Sequence, residues 1–413
     1  MSVDRGKANK EALRRLVAAE PVLVDVQPAI DVVPGMRPNM ILASGVPRSW
    51  ADIVGIQRRA FINGALYERL AADEREAEAK LAAGEIEVAA TQLHCSVGAG
   101  AGITTASMPV FVVENRAGGN RGFCSPVESN PPRVFAYGAW GDDVREKLDF
   151  NRDVIAPVIG EAVRRAGGIP LKPIMRRAIT MGDDLHFRND AGTQLFMGAL
   201  FPALLDVARE RLGEVQRTIA FLQTTPVAFL RVAAAAAKTC LDAAHGVEGS
   251  SVVTSMVFSS KECAIRVSGL GDAWFRGPLA TFLGDFFWGS GPEDVAFAGG
   301  ESTVMETIGL GALVMAGALA MPFGPPEVRI ERNRRMYEIC VGEAAEYKIP
   351  YFDRGAPTGI DVFKVVETGI RPFIHGGVIR KDGEGAAGVG AMECAPEPFQ
   401  AAVAAYRERY PGA

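Results

Sequence analysis

Histidine is scarce in this 413-residue sequence, with four in all, so any imidazole chemistry must use His94, His186, His245 or His375. No two of the six cysteines, Cys95, Cys124, Cys240, Cys263, Cys340 and Cys394, have CxxC spacing. That disfavours a zinc ribbon or a disulfide frame and favours free thiols in a reducing cytoplasm. Lys and Arg form no block and the net charge is -5, which argues against nucleic acid as a partner, because neutralising phosphates needs clustered cations. No apolar run reaches membrane-spanning length. The longest, 308–323, is interrupted by Gly309, Gly311, Gly317 and Pro322 and reads as a buried helix. The first residues, Met-Ser-Val-Asp-Arg-Gly-Lys, lack the apolar core of a signal peptide, so a cytoplasmic protein without membrane association is expected. No metal-ligand constellation is apparent, no GKS or GxGxxG follows the Ser268–Asp272 turn, and no metal or cofactor is expected.

What is present describes an ordinary globular chain. Hydrophobic content of 48% with 23% charged residues lies well away from disorder, and the length suggests roughly two to three domains. The first part alternates strand and helix patterns: a helix over 9–19, strands over 22–26 and 40–45, helices over 53–66 and 71–83, and strands over 87–90, 109–113 and 134–137. From Asp143 the texture changes to successive helical periods over 143–149, 154–166, 171–181, 192–209, 214–222 and 228–244. Strand patterns return at 251–258 and 263–267, followed by helices over 305–320, 330–341 and 398–410. The fold class is therefore mixed α/β (α+β), with two α/β domains, residues 1–142 and 246–413, and a small all-helical domain, 143–245, between them in sequence.

The stretch Asp242 to Trp274 concentrates polar signals. His245 and Glu248 share a turn bracketed by Gly246 and Gly249, so His245 reads either as a base oriented by Glu248 or as a helix-terminal histidine near free carbonyls. The second strand of this stretch ends in Ser268-Gly269-Leu270-Gly271-Asp272, either a ligand-cradling turn at a sheet end or simply a tight turn. Asp183-Asp184-Leu185-His186-Phe187-Arg188-Asn189-Asp190 is either a solvated loop or a polar edge facing a cleft. Asn115, Asn120 and Arg121, with Arg116, lie in a glycine loop whose amides and planar donor forks suit carboxylate, phosphate or carbamoyl groups. His94 stands beside Cys95, which reads as a small packed residue. Ser302 is explained by helix capping, whereas Glu306, a carboxylate on an otherwise apolar helix, must be paired or functional.

Several of these runs together resemble one bacterial family: Ile41-Leu-Ala-Ser-Gly45, His94 with Ser107-Met-Pro-Val-Phe-Val-Val-Glu-Asn115, Gly119-Asn-Arg121, Met181 to Asn189, Asp242 to Gly249, Ile265 to Asp272 and Pro357-Thr-Gly-Ile-Asp361. The family, long one of unknown function, includes the large subunit of oxamate carbamoyltransferase from anaerobic allantoin breakdown. The resemblance covers nearly the whole chain. It implies two mixed α/β domains and a small helical one, in a multi-subunit, oligomeric enzyme that exchanges a carbamoyl group between oxalurate and phosphate, giving oxamate and carbamoyl phosphate. On that reading, Asn115, Asn120, Arg121, His186, Arg188 and Asn189 hold the carboxylate and phosphate of a small ureido acid. His245 with Glu248 handles the amide proton, His94 is a further catalytic candidate, and Ser268, Gly269, Gly271 and Asp272 surround the carbonyl oxygen. A metal-independent amidohydrolase, in which water replaces phosphate, and a non-catalytic scaffold subunit are the alternatives.

Overall fold

A computed structural model describes residues 3–129, 132–318, 321 and 324–412. Its first sheet places Pro21–Pro28 antiparallel to Pro109–Asn115, which pairs in turn with Arg121–Cys124. Ser96–Val97 and Ile169–Pro170 form the two edges. Met40–Ala43 and Glu87–Ala90 make a separate parallel pair, and the strand expected over 134–137 is instead a short 3-10 turn, Phe135–Tyr137. Further on, Val253–Phe258, Cys263–Val267 and Trp274–Gly277 form an antiparallel meander. The long hairpin Phe373–Arg380 with Ala386–Glu393 is flanked by three two-residue strands, and Cys340–Lys348 pairs with Gly355–Ile360. The fold is mixed α/β, with a helical stretch between β regions, as the residue pattern predicts.

The two periods expected over 192–209 and 214–222 are one helix, Asp190–Thr224, broken by non-helical geometry at Arg211. This helix is long and apolar enough to cross a membrane by length and composition. One stripe of it, with Phe196, Leu200, Leu204 and Val207, is nevertheless packed into the largest apolar core. That core also takes Leu23, Val113, Met305 and Val314, so residues from the first sheet, the helical stretch and the C-terminal part share one interior. The helix expected over 305–320 is a short helix, Val304–Thr307, followed by a 3-10 segment, Gly311–Gly317, because Gly309 and Gly311 adopt left-handed conformations that end the helical run. Residues 304–318 are all buried; positions 319 and 320 of that expectation, and 322 and 323 of the apolar run 308–323, lie outside the described residues.

The Ala228–Ala244 helix lies against the strands 109–115 and 121–124. Its five consecutive alanines, Ala233–Ala237, keep it thin, and Gly122 lets the sheet approach: a Cβ there would stand 2.6 Å from the Ala235 carbonyl oxygen. The N-terminal helix, Arg5–Ala18, is tied to the C-terminal part by one buried amide. Asn9 donates to Ser251 Oγ at 2.9 Å and to Asp361 at 3.1 Å, and accepts from the Ser251 backbone N–H at 2.8 Å. Replacing Asn9 with Ala strands that N–H and one carboxylate oxygen in the interior. The expected loss is about 1–3 kcal/mol of stability, seen as a lower urea midpoint with an unchanged slope. An unchanged midpoint would mean that water takes over the amide's bonds.

Candidate functional site

A cavity of about 560 Å³ opens between the first sheet's loops, the start of the Ala228–Ala244 helix and the 373–393 hairpin. Much of its wall is apolar, with Val134, Leu230, Phe258, Ile374 and Met392 among the lining residues. Its ionisable and polar lining includes His186, His375, Arg231, Glu128, Ser302 and Thr303.

The histidines are positioned by carboxylates. In the loop before the long helix, Asp184 Oδ1 accepts the backbone N–H groups of His186, Phe187 and Arg188 at 3.1, 3.0 and 2.7 Å, an Asx-type turn that fixes where His186 points. The turn forces Leu185 into left-handed backbone geometry, φ 64°, which a buried leucine adopts only under constraint. The other Asp184 oxygen bonds His375 Nδ1. Burial works against the charge on Asp184, but His375 holds its carboxyl below the usual range.

Glu306, on the short 304–307 helix, is fully buried and held by three donors. Its carboxylate meets His186 Nδ1 at 2.8 Å and accepts the backbone N–H groups of Ala312 at 2.9 Å and His375 at 3.0 Å. The chain folds over it only because residue 311 is glycine: a Cβ there would lie 2.1 Å from Oε1. A carboxylate at Nδ1 fixes the proton there, leaving His186 Nε2 as the acceptor that faces Ser302 Oγ at 2.8 Å. Burial alone would lower the His186 pKa, but Glu306 raises it above that of an ordinary imidazole.

The turn carrying Ser302 is anchored by its neighbour. Glu301 turns away from His186 and accepts the backbone N–H groups of Gly45 at 3.1 Å and Gly98 at 3.0 Å, and also the Thr91 hydroxyl. Burial pushes its carboxyl up to about 7. Ser302 does not cap the helix that follows, as the sequence suggests it should; Thr303 is the cap residue, without a side-chain bond, and the Ser302 hydroxyl goes to His186.

Arg231 enters the cavity from the first turn of the alanine-rich helix. It is 8% exposed and forms no ion pair among the described residues. A buried guanidinium without an ion-pair partner costs on the order of several kcal/mol, and the buried Glu128 lines the same cavity without an ion pair of its own among the described residues.

The family described as oxamate carbamoyltransferase subunit AllG matches residues 86–302. The Escherichia coli K12 protein of that name, oxamate carbamoyltransferase subunit AllG, is 35% identical over 412 residues, covering 97% of each chain. The chain belongs to the AllG family. The uncharacterised YahG of the same organism is also 35% identical, over 98% of this chain and 86% of its own length. A crystal structure of a conserved Enterococcus faecalis V583 protein of unknown function superposes with a TM-score of 0.95 at 33% identity, covering 98% of both chains.

In this AllG-family chain, His186 is the one candidate picked from the sequence that lines the cavity. Its neighbours serve the loop: Arg188 lies 3.3 Å from Asp183, and Asn189 donates to the His186 carbonyl at 3.3 Å. Asn115 and Asn120 are spent on a hairpin, bonded to each other at 2.9 Å, with Asn120 also donating to the Thr239 carbonyl. Arg121 is exposed and pairs with Glu114 at 3.0 Å. His94 Nδ1 faces the Pro34 carbonyl at 2.7 Å, away from the cavity.

The His245 turn is a separate polar cluster. His245 Nδ1 meets Thr254 at 2.8 Å, and its Nε2 stands 3.8 Å from the exposed Asp272. Glu248 is exposed and no bond joins it to His245 among the described residues; Gly246, between them, is left-handed. Ser268 Oγ donates to the Ala244 carbonyl and accepts from the Val247 N–H, Gly269 packs against the Ser250 carbonyl and Gly271 supplies a left-handed turn; together they close the helix end. Sequence reasoning missed Asp184 as an orienter, Arg231, Ser302 and His375. Arg231 had one signal, a charge in the first turn of an alanine-rich helix whose other two charges, Lys238 and Asp242, pair with each other.

The two non-equivalent histidines give a direct test. Burial, reinforced by the Arg266 charge, pushes His245 down to about 4, so it stays neutral from pH 5 to 8, while His186 keeps its proton to a pH above that of a free imidazole. Imidazole 15N spectra, assigned by single His→Asn variants, should show this order. Glu306→Gln should move the His186 titration downward, since burial then acts unopposed. A wild-type His186 that titrates below a free imidazole would contradict the assignment.

Proposed function

We propose that this cavity is a carbamoyl-transfer site for a small ureido acid, with the chain acting as one subunit of a multi-subunit enzyme. The reaction is that of oxalurate with phosphate, giving oxamate and carbamoyl phosphate. The observation that carries this reading is Arg231: a buried planar cation, free of any ion pair among the described residues, in the same cavity as two carboxylate-oriented histidines. Its fork suits the substrate carboxylate. Membership in the AllG family supports the substrate class.

Acyl transfer from a ureido nitrogen needs a proton delivered to that nitrogen as the C–N bond breaks, because an amide anion is a poor leaving group. His186, protonated to a higher pH than usual, can deliver it and then accept a proton from the incoming nucleophile. The cavity's apolar wall disfavours bulk water, which would otherwise take the carbamoyl group in place of phosphate.

Arg231→Ala, assayed in the assembled enzyme by coupling carbamoyl phosphate to ATP formation, should raise KM for the ureido acid. Losing one charged hydrogen-bond donor set costs about 1.5–3 kcal/mol, or roughly ten- to a hundredfold. Arg231→Lys should recover only part of this, since it restores the charge and not the fork. An unchanged KM in both variants, or the absence of phosphate-dependent turnover with any co-assembled subunit, sinks the reading.

A further inference from the structure

Resting on the carbamoyl-transfer reading, we propose that Ser302 is the nucleophile of that reaction and that transfer proceeds in two displacements through an O-carbamoyl serine. The geometry is a relay of three groups. Glu306 fixes the Nδ1 proton of His186 at 2.8 Å, which leaves Nε2 free to accept the Ser302 proton across 2.8 Å. Nucleophile, base and orienter are thus in hydrogen-bond contact, in the order that activates a hydroxyl, recognised here by geometry and not by spacing in sequence.

The rest of the structure treats this serine as a positioned group. Glu301 anchors the preceding residue to Gly45 and Gly98, and Thr303 anchors the following one through its hydroxyl, which donates to the Met256 carbonyl at 2.5 Å. Both flanking residues are buried and bonded inward, while Ser302 lines the cavity. A purely structural serine needs no histidine held in one tautomer by a carboxylate that is itself fixed by two backbone N–H groups.

In the first step the Ser302 proton moves to His186 Nε2 and Oγ attacks the carbamoyl carbon. The bond from that carbon to the internal ureido nitrogen breaks, and the nitrogen takes the proton from Nε2, so the amide product leaves neutral at nitrogen and Ser302 carries the carbamoyl group. In the second step a hydroxyl of phosphate gives its proton to Nε2 while its oxygen attacks the same carbon. The carbon–Oγ bond breaks, Oγ recovers the proton, and carbamoyl phosphate is released. No electrons are gained or lost.

A two-step route has a signature that direct transfer lacks: the first half runs without phosphate. The assembled enzyme, given oxalurate and isotopically labelled oxamate but no phosphate, should exchange label into oxalurate. The peptide containing Ser302 should carry the mass of one carbamoyl group. Ser302→Ala should lose both, with turnover down by roughly a thousandfold or more. If that variant fails to assemble, the site of the adduct in the wild-type peptide map still decides. Carbamoyl phosphate formation by the wild type with no phosphate-free exchange and no adduct overturns the proposal while leaving the transfer reading intact, and so does a Ser302→Ala variant that keeps exchange. An aryl carbamate separates the two claims. A burst of phenol with the adduct on Ser302, in an enzyme that does not use oxalurate, upholds the nucleophile and removes the ureido acid.

Discussion

The site depends on one buried carboxylate. Glu306 has no exposed surface, yet it gathers His186, the His375 backbone and the Ala312 backbone around itself, from three separate stretches of the chain. An uncompensated carboxylate in that position would be too costly to retain. Each donor it receives therefore also fixes the segment that brings the donor. The tautomer of His186, the seat of the hairpin at His375 and the closure of the chain at Gly311 are consequences of satisfying this single charge. Removing it would do more than delete a hydrogen bond to one histidine, because two backbone segments would lose their common acceptor.

Local features of this chain are legible in its sequence and long-range ones are not. The strands at 87–90 and 263–267 and the final helix are readable because period and punctuation are local properties. Glu306 was legible as an anomaly: a charge in an apolar run demands a partner, and the structure supplies His186. The identity of that partner was not, since it lies 120 positions away. Asn115, Asn120 and Ser268 illustrate the opposite failure. Amides and hydroxyls in glycine-rich turns look like ligand donors, but such turns leave backbone groups that need partners, and these side chains supply them. A polar residue type in a loop cannot be assigned to ligand or to backbone without knowing what the loop packs against.

His186 and His245 show how environment separates two histidines that look alike in sequence. Both stand just after or between helices beside acidic residues. One is held by a fully buried carboxylate and is raised; the other is lowered by burial and by the Arg266 charge. Only the raised one can be both a proton donor to a leaving nitrogen and, once neutral, a base near physiological pH.

Arg231 sets a further constraint on any chemistry in this cavity. Its helix is thin enough to lie close against the sheet only because it is built of alanines, and that closeness brings its first turn to the cavity wall. A cation buried there at several kcal/mol is tolerable if binding an anion offsets the cost each time the site fills. On the proposed function, the empty protein is then the strained state and the occupied one the relaxed state, which favours substrates that carry a carboxylate over neutral amides of the same size. The discrimination comes from leaving the guanidinium unpaired when a neutral analogue binds, a larger penalty than any shape mismatch of one or two atoms. On the proposed chemistry this matters twice, because the product amide keeps the same carboxylate. Arg231 can therefore retain it while the carbamoyl group waits on the enzyme, and release of that product, more than bond breaking, becomes the step that must be balanced against entry of phosphate.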